Sequence, residues 1–206
     1  MPLALGGCGD GEKKSGDPSA APPSAAPSAA ASSAAPAAGG TPLNATGASV
    51  TLPPGWKQID PTQDTSPVVQ TSFRLTGDLG SLTKELLGKQ KEQGIAFAID
   101  TSVTSGFAPI LTVGCDRGGL TGSSLEQLKA KATAMHKGAR LTDLTVGGRP
   151  GFKATYTSPG RDGITTDEAT VRVPIPGDRF CFVDLSAKQG AMPPQADQIL
   201  ASFKPA

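Results

Sequence analysis

From about Ala48 onward, apolar and polar positions follow two periods, two and 3.6. ASVTLPPGW (48–56) reads as a short strand stopped by Pro53, Pro54 and Gly55. VVQTSFRL (68–75) alternates and predicts a second strand. In LGSLTKELLGKQKEQG (79–94) the period changes: Leu79, Leu82 and Leu86 fall on one helical face, opposite Lys, Glu and Gln. That predicts an amphipathic helix buried through its leucines and closed by Gly94. IAFAIDTSV (95–103) and APILTVGC (108–115) read as strands.

SSLEQLKAKATAMHKG (123–138) has the strongest helical pattern. Ser123 and Glu126 have the spacing of a capping box, and Leu125, Leu128, Ala132 and Met135 form the predicted inner face. LTDLTVGGRPGFKATYTS (141–158) predicts a hairpin at Gly-Gly-Arg-Pro, and DEATVRVPIPGDRFCFVDLSA (167–187) another at Pro-Gly-Asp. Within the second, Ala169, Val171, Val173 and Ile175 alternate with polar residues. Pro174 and Pro176 cannot donate to a ladder, so that end should be an edge. PPQADQILASF (193–203) closes the pattern as a helix with Ala196, Ile199, Leu200 and Phe203 inside. The order of elements predicts an α+β fold in which a central, mostly antiparallel sheet is covered by helices, spanning residues 48–206.

The pattern fails before residue 48. PSAAPPSAAPSAAASSAAPAAGG (18–40) contains only Pro, Ser, Ala and Gly, too little apolar bulk to offset the entropy of ordering. Residues 9–47 are therefore expected to form a disordered tether, stiffened by proline, with a maximal reach of roughly 120 Å at ~3.1 Å per residue. In front of it, Leu5-Gly6-Gly7-Cys8 matches a bacterial lipobox. That match predicts diacylglycerol on Cys8, which would become the mature N-terminus, and a membrane attachment stabilised by ~0.8 kcal/mol per buried CH₂. Met1 to Leu5 lack the basic and apolar regions of a signal peptide, so residues 1–8 are read as its remnant and the true start codon is expected upstream.

Composition adds mainly exclusions. The formal net charge is +1, which gives no electrostatic footprint for nucleic acid. No apolar run approaches the ~20 residues needed to span a bilayer. His136 is the only histidine, which rules out multi-histidine metal sites; its place near a helix end suggests contact with the last carbonyls and the helix dipole. Cys115 and Cys181 both fall at inward positions of strand-like runs. Three readings exist for them: inert buried thiols, a disulfide closing about 66 residues and worth roughly 4 kcal/mol, or a catalytic thiol, for which the sequence offers no activating group. DPTQDTS (60–66) resembles a calcium loop but has Thr65 and Thr71 where glycine and glutamate are needed. Trp56 reads as a core plug, and Arg161-Asp162-Gly163 as an ordinary loop.

The combination of V-x-L-P-x-G-W (50–56), Ser-Ser-Leu-Glu-Gln-Leu (123–128), Gly-Gly-Arg-Pro-Gly (147–151) and I-L-x-S-F (199–203) resembles the PsbP-like fold. More narrowly it is similar to the envelope lipoproteins of the LpqN/LpqT group. The resemblance covers residues 48–206. It implies an α/β/α sandwich and a non-catalytic binding or accessory protein with no catalytic set and no cofactor. The expected function is thus that of a lipid-anchored module of the bacterial envelope acting on an unknown protein partner. A carrier of a small apolar ligand or lipid is the alternative, and an enzyme without a recognisable motif stands third.

Overall fold

A computed structural model describes residues 39–117, 119, 122–160 and 162–206. The lipobox with Cys8, and the tether as far as residue 38, lie outside the described residues. In chain order the elements are β1 (Thr41–Ala45), β2 (Ala48–Leu52), β3 (Trp56–Ile59), α1 (Pro67–Ser72), α2 (Gly80–Glu92), β4 (Ala96–Asp100), β5 (Ile110–Arg117), α3 (Leu125–Met135), β6 (Arg140–Val146), β7 (Arg149–Pro159), β8 (Thr165–Ile175), β9 (Arg179–Lys188), α4 (Ala196–Ala201) and β10 (Lys204–Pro205).

Among the described residues the strands form two sheets, both antiparallel. Seven strands run β3-β4-β5-β9-β8-β7-β6, and three run β1-β2-β10. Strand alternation divides the large sheet into two faces. On one face, Ala98, Leu111, Val113, Val171, Val183 and Leu185 pack against Leu43, Val50 and Leu52 of the small sheet and against Ile199 and Phe203. On the other, Phe97, Phe152, Phe180 and Phe182 pack against Val69 and Phe73, around α1, and against Leu128 and Ala132 of α3. The α+β expectation with an antiparallel sheet therefore holds, but helices α1 to α3 cover only one face. The small sheet and α4 cover the other. The expected single sheet had no place for β1, because Thr41–Ala45 was assigned to the tether.

That boundary is corrected by seven residues. TPLNA is poor in strand formers, yet β1 pairs with β2 from Thr41↔Leu52 to Ala45↔Ala48, and Leu43 is fully buried. Tertiary burial overrides weak local propensity here. At the far end of the chain, β10 pairs with Ser49 and Ala48, and the Ala206 N–H donates to the Gly47 carbonyl (2.8 Å).

Other expectations shift as well. Residues 68–75 are not a strand: Ser66 and Pro67 start α1, and Val69, Ser72 and Phe73 are buried at i, i+3 and i+4. The Asp64 carboxylate accepts from the Ser66 N–H (2.8 Å), which fixes the entry to that turn. The capping box of α3 lies one residue later than predicted. Ser124 Oγ accepts from the Gln127 N–H (3.3 Å), and Gln127 Oε1 accepts from the Ser124 N–H (3.0 Å). Ser123 instead donates to Asp178 in the β8–β9 turn (2.9 Å). Both hairpins form where expected, the first turning through Gly147 and Gly148, which have φ of 55° and 78°. Pairing between β7 and β8 starts at Phe152↔Arg172, so the Pro174 end of β8 is bonded only to β9, as its missing N–H requires.

Candidate functional site

The leucines of α2 do not face the core. Leu79, Leu82 and Leu86 are 45%, 52% and 52% exposed, and Leu87 takes the packed position instead. Met135, assigned to the inner face of α3, is 64% exposed. Leu82, Leu86 and Gln90 stand four residues apart, hence on one face of α2. Gln90 and Met135 line a cleft between α2 and α3.

The floor of the cleft is the middle of the large sheet. Register places Thr112, Asp184 and Thr170 side by side on β5, β9 and β8. In the next row stand Ile110, Ser186, Glu168 and Tyr156, on β5, β9, β8 and β7. All of these lie on the helix-covered face, in phase with Phe152 and Phe182. A band of polar side chains thus crosses the same face as the phenylalanine cluster. The band opens into a cavity of about 340 Å³ containing His136, Tyr156, Arg172 and Asp184, and into another of about 270 Å³ containing Phe73, Leu87, Glu168 and Ser186. Thr112 and Asp184 line both.

Glu168, Ser186, Thr170 and Asp184 are held by hydrogen bonds among themselves and their neighbours. Glu168 accepts hydrogen bonds from Thr166 Oγ1 (2.7 Å) and Ser186 Oγ (2.8 Å). Burial pushes its carboxyl above the usual range, against the effect of those two hydroxyls, and nearby Asp184 adds to the rise. The Thr170 hydroxyl donates to Asp184, whose other oxygen lies 3.8 Å from Arg172 Nη2. The Arg172 guanidinium also sits 5.6 Å from the centre of the Phe180 ring. Burial, and then the charges of Asp184 and Glu168, hold the Tyr156 phenol far above its ordinary value. At neutral pH the phenol is neutral, and it stands beside the acids Glu168 and Asp184 and the Arg172 guanidinium.

His136 ends α3, its N–H donating to the Ala132 carbonyl (3.0 Å). Its ring does not turn to the helix carbonyls as expected. It stacks on Tyr156 at 3.7 Å between centroids and 16° between planes. Burial, and then Arg172, keep the imidazole below its ordinary pKa, so it is neutral at pH 7 and the ring contact replaces the charge–dipole interaction.

Cys115 and Cys181 are directly opposed on β5 and β9 and form a disulfide. It lies on the face away from the cleft, under the β1–β2 turn, where Gly47 leaves room: a Cβ there would be 3.1 Å from Cys115 Sγ. Trp56 is buried in the same cluster, as a core plug should be. In the 60–66 loop, Asp60 accepts from the Thr62 N–H (3.0 Å) and hydroxyl (2.7 Å) and pairs with Lys91, which makes it an ordinary side-chain-capped turn. Of Arg161-Asp162-Gly163, Arg161 lies outside the described residues, and Asp162 pairs with Arg74 (3.4 Å).

Sequence reasoning missed Glu168, Asp184, Thr170, Arg172 and Ser186. They were the polar partners in an alternation read as one wet face and one dry face. A usable signal was available: Phe180 and Phe182 share the parity of Asp184 and Ser186, so that face could not be wholly solvated.

No protein-family model matches the chain, and no curated protein matches it in sequence. Among solved structures it is similar to a protein of Bacteroides thetaiotaomicron, with 10% identity and a TM-score of 0.44. The match covers 78% of this chain and 45% of that one, so this chain spans less than half of that protein's length.

Proposed function

We propose that this chain is a non-catalytic binding module of the bacterial cell envelope, held by lipid on Cys8 and built on a PsbP-like domain. It acts by docking a protein partner through the outer face of α2. The observation that carries this reading is the exposure of Leu79, Leu82 and Leu86 on a helix whose packed side is supplied by other residues. Contiguous apolar side chains left in solvent are costly and mark contact surfaces. The surroundings favour protein over lipid. Glu85 and Lys89 form an ion pair at 2.6 Å on the same helix, and Glu92 lies near Lys91; this mixed-sign rim suits a protein interface better than an anionic bilayer. The Cys115–Cys181 disulfide agrees with an oxidising, exported setting.

The cleft gives less support to a carrier of apolar molecules. Carboxylates, hydroxyls and a guanidinium line its floor, whereas an apolar cargo calls for a mostly apolar cavity. A photo-crosslinking residue at position 82 in intact cells tests the docking reading. One discrete protein adduct is expected, lost when Leu86 is changed to lysine and absent with the probe at Lys188. Equal labelling from both positions, or adducts to lipid alone, overturns it.

A further inference from the structure

The charges around the smaller cavity do not cancel. Arg172 faces Asp184, and Arg74 faces Asp162. Among the described residues, the guanidiniums that line the two cavities, Arg172 in the larger and Arg74 in the smaller, are thus each ion-paired. In the larger cavity Lys131 and Asp116 offset one another in sign. Glu168 is the remainder. It is half-buried, its contacts are two hydroxyl donors, and among the described residues no lysine or arginine nitrogen forms an ion pair with it. Arg74 lines the same cavity and favours the charged form of Glu168, but Asp162 holds its guanidinium, so the lining carries two carboxylates to one guanidinium and a cation supplied from solution offsets the excess.

We infer that the cavity beside Glu168 binds a small organic cation, a primary ammonium on a short aliphatic stem. Three features of the lining match that class. Glu168 and Asp184, neighbours through the register of β8 and β9, offer carboxylate oxygens, and the Thr112 hydroxyl offers a third acceptor for the three N–H donors of an ammonium. Phe73, Leu87, Phe107 and Ile110 form an apolar wall on which a hydrocarbon stem can lie. The volume, about 270 Å³, holds roughly nine non-hydrogen atoms at ~30 Å³ each, which excludes large ligands. An anion would meet the unmatched carboxylate, and a neutral apolar molecule would leave it desolvated.

This site is separate from the leucine face of α2, so each proposal can fail alone. The same ammonium could come from a free amine or from a lysine side chain, and the probes distinguish the two. Full-length protein is titrated by calorimetry with n-butylammonium, with a lysine blocked at both its α-amino and carboxyl ends, and with butyrate. Binding of one or both amines with a Kd of about 1 mM or tighter is expected, and the tighter of the two identifies the source. Butyrate should not bind. Glu168→Gln should weaken amine binding at least about tenfold. Thermal melts of the same variant show whether it is folded, and Asp197→Asn, at a residue that does not line the cavity, should bind as the parent does. No amine binding at about 10 mM, binding unchanged by Glu168→Gln in a folded variant, or butyrate binding as well as butylammonium overturns the inference.

Discussion

Glu168 shows how a residue can serve a site at the expense of the fold. Its carboxyl titrates above the ordinary 4.5 because burial disfavours the charged form. Between 4.5 and its folded pKa, the native state holds a proton that the unfolded chain has released. Stability therefore falls as pH rises through that window and stays lower at neutral pH. Glu168→Gln removes the charge and leaves an oxygen to accept from Thr166 or Ser186. It should stabilise the protein at pH 7, by about 1 kcal/mol on the scale of single-site effects. The gain should shrink on acidification and vanish below 4.5. Denaturant melts across pH measure it, and a variant less stable than the parent at pH 7 would show that the hydroxyl bonds outweigh desolvation.

At the scale of elements, helices α2 and α3 contrast. The N-terminus of α3 is fixed by local chemistry, a reciprocal box between Ser124 and Gln127. Ser124→Ala should cost about 1 kcal/mol in unfolding free energy. Glu126→Ala should cost at most a few tenths, because Glu126 makes only an exposed contact at 3.8 Å to Lys129. Equal losses would return the box to Ser123 and Glu126. No side chain caps α2, and Leu79 stands at its N-cap position. Its three exposed leucines are the clearest departure from an efficient core, and their retention on the surface fits a helix that has a partner to meet.

For the whole molecule, the attachment is the property to test. The lipobox expectation places both acyl chains on one sulfur, Cys8, while the other two cysteines are joined to each other across β5 and β9. Cys8→Ser should move the protein from the membrane pellet to the soluble fraction, with the 115–181 disulfide intact in both. Fractionation with mass measurement of the N-terminus checks it, and a Cys8→Ser protein that still sediments with membranes would point to a different anchor. Cys8→Ser leaves the disulfide untouched because Cys115 and Cys181 lie on paired strands of the described domain.

Much of the fold was legible because its causes are local. Paired glycines made the 147–148 turn, alternation made β6 to β9, and Pro193 with the Ala196–Phe203 spacing made the last helix. The α+β class and the antiparallel sheet followed from their order. What the sequence left open depended on which surface meets which. VVQTSF holds both a strand and a helix pattern, and packing against Phe97 selected the helix, with Phe73 and Phe97 edge to face at 5.9 Å. The leucines of α2 and the polar residues of β8 and β9 were identifiable as two stripes, but a stripe does not say what will cover it. Only the tertiary arrangement put helices over the polar band and left the leucines in water. Periodicity thus determined which residues share a face, while the competition among distant surfaces for burial decided which face became core, cleft or contact surface.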